Sequence, residues 1–433
     1  MSKILEKFGN VTVVLGSQWG DEGKGKLIDI LAPEYDIIAR ATGGANAGHT
    51  VYWNDGGETK KLVFHLIPSG MIHGDKICVV GNGVVLHIAT MLEEIEALKA
   101  QGVDVTGRLI LSDRAHIVFD YHKQIDALQE EMKGKAKVGT TLRGIGPAYA
   151  DKISRIGIRL GELRDFEKFS NHFRQNVEFL KKMYAIDIDV DSELKKYREY
   201  AAIITPMLRD TAHYLASEAA SGRTILIEGA NATHLDIDHG TYPFVTSSNA
   251  TIGGIITGLG ISPFMLKSAI GIVKAYTTRV GAGVFPTELN DELGEAIRTK
   301  GGEFGSTTGR PRRCGWFDAM IVRRSVEING LTSINLTKVD VLTGLKKLKL
   351  AVGYRVNGVE LESVPADLAT VENLEVLYEE MNGWDEDLSD IREFKNLPEN
   401  CKKYILRIEA LIGCSIDFIG VGQRRDQILT KDA

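Results

Sequence analysis

The chain has 433 residues, 43% of them hydrophobic and 25% charged, with a formal net charge of −6. This balance excludes a disordered chain and a general nucleic-acid surface, so an anionic ligand must be met by local clusters of Arg, Lys and backbone N–H groups. Cys78, Cys314, Cys401 and Cys414 stand far apart without metal spacing, no signal-peptide core or membrane-length apolar stretch is present, and the expected compartment is the cytoplasm with reduced thiols.

Val11 to Leu15 is an apolar, mostly β-branched run that reads as a buried strand, followed by a glycine-rich turn and a helix from Lys24 to Leu31. Gly20, four residues, Gly25 and Lys26 meet the P-loop spacing until its last place, where Leu27 replaces the hydroxyl that would reach magnesium. Gly20, Gly23 and Gly25 let backbone N–H groups converge on an anion, while Asp21 and Glu22 would repel a triphosphate unless one of them holds a cation or moves a proton. From Asp36 to Tyr52 the pattern is a short apolar run, a loop rich in Gly and Ala, and a return strand. Asn46 and His49 are the loop's polar tips, and His49 is the best acid or phosphate-contact candidate among the ten histidines.

Lys76 to Val85 reads as strand, turn and strand start, and His87 to Lys99 as a helix. Thr140, Thr141 and Arg143 then sit among glycines, with Arg155 and Arg159 just beyond, a combination suited to a phosphomonoester. Asp165 to Tyr184 and Ser192 to Ala220 read as amphipathic surface helices. Thr224 to Glu228 is a short strand whose following loop carries an acid, hydroxyls and Asn, as the carboxyl edge of an open α/β sheet presents to ligands; Asp236 and Asp238 in that loop are turn formers before they are metal ligands. Ser268 to Tyr276 is another strand, and Lys300 with Arg310, Arg312 and Arg313 forms the densest basic cluster, an expected anion clamp between glycines.

Trp316 to Asn329 reads as a helix ending at Gly330, and Leu331 to Val341 as a strand leading into Thr337, Lys338, Val339 and Asp340. The Asp can accept the N1–H and exocyclic amino group of guanine while the Lys stem covers the base, as in N-K-x-D with Thr for Asn. Lys347 to Glu360 suggests a small hairpin turning at Asn357-Gly358, Lys402 to Leu411 a helix, and Ile416 to Gly422 a strand with a final glycine turn. The expected fold is α/β: a mostly parallel central sheet flanked by helices, a P-loop-like first strand-turn-helix and small antiparallel hairpins. No linker or repeat divides the sequence, so residues 1–433 read as one large domain, with about 100–222 a mainly helical elaboration.

QWGDEGKGK (Gln18 to Lys26), GGANAGHT (Gly43 to Thr50), GTTLRGIGPAY (Gly139 to Tyr149), DIDHGTYPFVTSSN (Asp236 to Asn249), TTGRPRR (Thr307 to Arg313) and TKVD together resemble adenylosuccinate synthetases, in order through nearly the whole chain. The resemblance implies a ligase that converts IMP, L-aspartate and GTP into adenylosuccinate, GDP and phosphate with magnesium, through 6-phosphoryl-IMP. It implies catalytic roles for Asp21 as base, His49 as acid or transition-state donor and Lys24 in offsetting charge. GTP would meet Gly20 to Lys26, Gly48, His49, Thr50, Arg312, Lys338, Val339, Asp340, Gly420, Val421 and Gly422. IMP would meet Asp21, Glu22, Gly23, Lys24, Asn46, Ala47, Gly48, His49, Thr141, Arg155, Asn231, Thr246 and Arg310. The aspartate loop would be Ser306, Thr307, Thr308, Gly309, Arg310, Pro311 and Arg312; the magnesium ligands would be Asp21 and the Gly48 carbonyl. Arg155 would reach in from a neighbouring subunit, implying a homodimer.

The chain departs from the family pattern at Asn231, where many members have Gln, at the C-terminal turn GVGQRRDQ, where Gly-Pro is more usual, and at Cys314, where many have Thr. Two other readings remain open at this point: a GTP-dependent regulatory switch, and a related synthetase acting on dGMP.

Overall fold

The computed structural model describes residues 3–46, 48–55, 58–305 and 309–431, the side chains at 52–55, 58–59 and 61 excepted. Its centre is a sheet of strands β1 (Val11–Gly16), β2 (Ile37–Gly43), β3 (Ile77–Leu86), β4 (Leu109–Ser112), β5 (His116–Ile117), β6 (Leu208–Arg209), β7 (Ile225–Glu228), β8 (Ser268–Lys274), β9 (Ser333–Thr337), β10 (Ile416–Gly420) and β11 (Ile428–Thr430). The spatial order is β11-β10-β9-β8-β1-β7-β2-β3-β4-β6, with β5 also on β3. Every pairing is parallel except β10 with β11. The expected mostly parallel sheet is present.

Period-two alternation assigns the two faces. Val14, Ile38, Leu226, Ile270 and Ile272 pack into one core with Leu27, Ile28 and Leu31 of the Lys24–Leu31 helix. Val13, Leu15, Ala39, Ile227 and Val273 enter the other, with Ile321 and Val322 of the Ala319–Asn329 helix. A strand buried on both faces needs an unbroken apolar run, which is why β1 could be read from its sequence.

Two expectations are corrected. Lys76 to Val85 is not strand, turn and strand: β3 runs unbroken through Gly81 and Gly83. These glycines admit the Ile252–Leu259 helix to backbone contact, since a Cβ on Gly81 would lie 2.5 Å from the Gly258 carbonyl oxygen. Ser192 to Ala220 is two helices, Val190–Ile204 and Thr211–Ala220, separated by a turn containing Pro206 and by β6. The return strand His49–Asp55 pairs with Glu58–Phe64 in a hairpin of its own. The second hairpin turns at Asn357-Gly358 as expected, but its long strand Lys347–Val356 pairs chiefly with Leu374–Asn382, which the sequence did not announce.

The consequence for function is geometric. The turn after β1, Glu228 at the end of β7, Lys274 at the end of β8, Thr337 before the base motif, and Gly420 before the C-terminal turn all leave the carboxyl edge of one sheet.

This close packing is testable. A Cβ on Gly258 would lie 2.3 Å from the Ala41 carbonyl oxygen and 3.0 Å from Thr42 Cγ2. Gly258→Ala is expected to cost about 1–3 kcal/mol in chemical denaturation, because rigid backbone must move; an unchanged midpoint would refute this account.

Candidate functional site

The turn after β1 first disposes of its own charges. Glu22 is buried, and its carboxylate accepts Gln18 N at 3.1 Å, Gly20 N at 2.8 Å and the Lys24 ammonium at 3.0 Å. It therefore shapes the turn from beneath, and only its backbone is left for a ligand. Thr337 Oγ1 donates to the Glu22 carbonyl at 2.8 Å, joining this turn to the base motif. Gly23 caps the helix at φ 95°, and Asp21 holds φ 58°, an αL position that Asp tolerates better than most residues. The Asp21 side chain is 32% exposed and accepts Arg312 Nε at 2.7 Å.

Asp21 faces a cavity of about 380 Å³. Of the expected residues, Gly20, Gly23, Lys24, Gly25, Asn46, Gly48, His49, Thr50, Thr141, Asn231, Thr246, Arg310 and Arg312 also line it. Ala47, Ser306, Thr307 and Thr308 lie outside the described residues. Asn46 and Asn231 each present a buried side-chain carbonyl oxygen with no hydrogen-bond partner among the described residues, and such oxygens are costly unless a ligand or water donates to them. Asn231 holds φ 60°, a conformation that Asn adopts more readily than Gln, which gives a backbone reason for its presence here.

His49 begins its hairpin at the cavity wall, and its Nδ1 is paired with the buried Glu228 carboxylate. The other Glu228 oxygen accepts Ser69 N at 2.8 Å and Ser69 Oγ at 2.9 Å. Burial pushes this carboxyl group's pKa up, but His49, Arg40 and the Ser69 amide outweigh burial and leave it below the ordinary value. An ionised Glu228 accepts the Nδ1–H and so leaves the His49 Nε2 for a ligand.

The remaining GTP candidates assemble beside this cavity without lining it. Lys26, at the P-loop lysine position, donates to the carbonyls of Gly422 at 2.9 Å and Gln427 at 2.8 Å. Burial lowers its pKa to about 8. Arg425 meets Asp29 of the same helix, with Nε 2.7 Å from Oδ2, so the C-terminal turn with Gly420, Val421 and Gly422 is clamped to the Lys24–Leu31 helix. Val339 is buried, Lys338 sits at φ 60°, and Asp340 has a buried Oδ1 with no hydrogen-bond partner among the described residues; burial pushes the group above its ordinary pKa. Pro311 lies at the stem of the arginine loop, in a bridge with Phe304. Arg155 is exposed at the end of the Ile145–Ser154 helix, outside the cavity lining.

Several lining residues were not anticipated. Trp19 is buried and donates Nε1–H to Thr241 at 3.0 Å, with the Arg279 guanidinium 5.1 Å from its ring centroid. Arg279 fixes the 241–244 loop through Thr241 Oγ1 at 2.9 Å and the Phe244 carbonyl at 2.9 Å, and burial lowers its pKa to about 9. Asp126 accepts Thr140 Oγ1 at 2.9 Å and Gly144 N at 3.0 Å, while Glu130, one helical turn on, accepts Gly139 N at 2.8 Å. The two acids hold the threonine loop from behind; their i, i+4 spacing was the available signal. Asp236 is the turn former expected, accepting Asp238 N at 2.9 Å, His239 N at 3.1 Å and Thr251 N at 3.0 Å.

A sequence profile of the family described as adenylosuccinate synthetase matches residues 13–429. The chain belongs to the adenylosuccinate synthetase family. Among the similar proteins, the "Adenylosuccinate synthetase, chloroplastic" of Ostreococcus tauri is 52% identical over 98% of this chain and 88% of that protein. The adenylosuccinate synthetase of Phytophthora infestans is 51% identical over 97% and 76%. A fully ligated adenylosuccinate synthetase from Plasmodium falciparum superposes with a TM-score of 0.93 at 46% identity, covering 98% of this chain and all of that one. A cyanophage S-2L succinoaminodeoxyadenylate synthetase, bound to dGMP and dATP, has a TM-score of 0.62 at 18% identity and shares the fold. The chain is accordingly a GTP-dependent ligase of the adenylosuccinate synthetase family, and the regulatory switch and the dGMP enzyme are not favoured.

In such a ligase the buried Glu228 is expected to act through His49. Glu228→Gln, which retains the shape, should lower turnover by about 10²-fold or more with an unchanged circular-dichroism spectrum; near-native turnover would remove the dyad from catalysis.

Proposed function

We propose that this chain joins L-aspartate to IMP at the cavity around Asp21, with each motif acting there. Asp21 takes the N1 proton of IMP, and the O6 atom, now nucleophilic, attacks the γ-phosphorus of GTP. The bond to the β-γ bridging oxygen breaks, GDP leaves, and 6-phosphoryl-IMP forms. The amine of L-aspartate then adds at C6, the phosphate departs with the electron pair of the C6–O6 bond, and the nitrogen loses a proton. Oxygen on a purine is a poor leaving group until phosphorylation, so the first step makes the second feasible.

His49, held by Glu228, would place its Nε2 on the transferring phosphoryl group, and Lys24 would offset charge in the same turn. Lys338 and Asp340 would recognise guanine, the orphaned Asp340 oxygen accepting from its N–H groups. Thr141, Asn46, Asn231, Thr246 and Arg310 would hold IMP. The loop 306–312 would hold the aspartate carboxylates through Arg310 and Arg312.

The donor set fits magnesium, which needs only one or two protein oxygens beside phosphates and water. Asp21 faces the cavity with a cationic guanidinium already against one oxygen, and Gly48 lines the same wall. Asp21 and the Gly48 carbonyl would hold the ion, which would supply neutralisation of the phosphates in place of the absent P-loop hydroxyl.

The observation that carries this reading is the convergence on one cavity of Asp21, His49, Asn46, Asn231, Thr246, Arg310 and Arg312 from five separate stretches of chain. A homodimer with Arg155 contributed across the interface accords with its exposed position away from its own cavity. The two hydrophobic cores lie on opposite faces of one sheet, which supports reading 1–433 as one domain. The four described thiols are buried and unpaired, as suits the cytoplasm; several relatives are named as chloroplastic, so tagged-protein imaging decides the compartment. Among the described residues, no helix is long and apolar enough to cross a membrane.

Phosphate release from GTP should require IMP and L-aspartate together, and replacing IMP with dGMP should abolish it. Release that continues when either is omitted would overturn the reading. Asp21→Asn should lose turnover by about 10³-fold or more while still binding GDP in calorimetry; an active variant would displace Asp21 as the base.

A further inference from the structure

Beneath the arginine loop lies a carboxylate to which no role has been given. Glu303 is fully buried at the stem of that loop, two residues past the Glu292–Gly301 helix. Its Oε1 accepts Lys338 Nζ at 2.8 Å, Tyr276 OH at 2.5 Å and Lys274 Nζ at 3.0 Å. Its Oε2 accepts Arg312 Nη1 at 2.7 Å and Lys274 Nζ at 2.9 Å. Its backbone carbonyl accepts Arg312 N at 2.9 Å, closing the loop at its base. Lys338 Nζ has one further acceptor, the Gly301 carbonyl at 2.7 Å, and Arg312 continues to Asp21. One buried side chain thus holds the ammonium of the guanine motif and the guanidinium of the aspartate loop.

We propose that Glu303 is a positioning residue that couples the nucleotide-base pocket at Lys338 to the aspartate loop at Arg312. The proposal rests on the functional reading above. Lys338 can cover a base with its stem only if its ammonium is held elsewhere, and Glu303 with the Gly301 carbonyl holds it. Arg312 can meet an amino-acid carboxylate in a fixed orientation only if its second nitrogen is fixed, and Glu303 fixes it. Because the acceptor is shared, a base that immobilises the Lys338 stem also immobilises Glu303 and the loop stem, so the second ligand meets Arg312 already oriented. The cluster is not self-neutral: Lys274, Lys338 and Arg312 face Glu303 and Asp21, leaving an excess cation next to the anionic substrates.

The test is calorimetric, on the full chain with IMP and magnesium present. The L-aspartate dissociation constant is measured with and without GDP, for the wild type, Glu303→Gln and Glu303→Asp. GDP should tighten L-aspartate by about tenfold in the wild type, and by less than about twofold in Glu303→Gln, with partial rescue in Glu303→Asp. IMP affinity should stay the same in all three, a split that general loss of structure would not produce. Full coupling retained in Glu303→Gln, absence of coupling in the wild type, or an equal loss of IMP affinity would each overturn the proposal. Glu303→Gln leaves the buried Lys274 without its counter-ion, so the double variant Lys274→Met/Glu303→Gln carries the same measurement if the single variant does not fold. The functional reading is judged separately: a wild type that binds these ligands yet releases no phosphate when GTP replaces GDP refutes that reading and leaves the coupling result intact.

Discussion

A turn that crowds Asp21, Glu22, Lys24 and Lys26 into one strand-to-helix corner must neutralise itself before it can receive an anion. The structure does so by folding Glu22 inward, onto two backbone amides and Lys24. That internal ion pair removes the repulsion a triphosphate would meet, shapes the αL residue above it, and leaves Asp21 as the acid turned to the cavity. Lys26 is drawn aside to the C-terminal turn, so a residue that spacing alone assigns to phosphate also fastens a distant segment into the site.

The same device recurs around the cavity. Buried carboxylates stand behind the polar side chains that face it: Glu228 behind His49, Glu303 behind Arg312 and Lys338, Asp126 and Glu130 behind the threonine loop. Burial alone disfavours an ionised carboxylate, but Lys274, Lys338 and Arg312 hold Glu303 well below its ordinary pKa. Of these acids only Asp126 reaches the cavity lining, and the effect of the others is exerted through orientation. A long, flexible Lys or Arg gains a single direction only when something rigid accepts its protons.

What was legible in the sequence follows from local physics. Strands buried on both faces show as apolar runs, helices as 3.6-residue periodicity with a terminal glycine, as at Gly330, and phosphate turns as glycine clusters. Local rules failed where distant chain intervened. Gly81 and Gly83 read as a turn because their requirement comes from the Ile252–Leu259 helix laid across β3, and the partner of Lys347–Val356 lies beyond a long connection. Trp19 and Arg279 escaped notice because a cation over a ring has no sequence spacing.

The sequence by itself determined the class of fold and the family, since both rest on runs and motifs of residues adjacent in the chain, as do the expected phosphate turn and guanine-like motif. Only the tertiary structure decided which charges face the ligand and which face one another. Glu22 and Asp21 are neighbours of similar chemistry, yet one is fully buried and the other is 32% exposed. Their difference arises because hydrogen-bond donors lie on one side of the turn and a cavity on the other. Glu303 and Glu228 likewise carry no motif; their importance lies in partners far along the chain, brought within hydrogen-bond reach by a parallel sheet that gathers its loops at one edge.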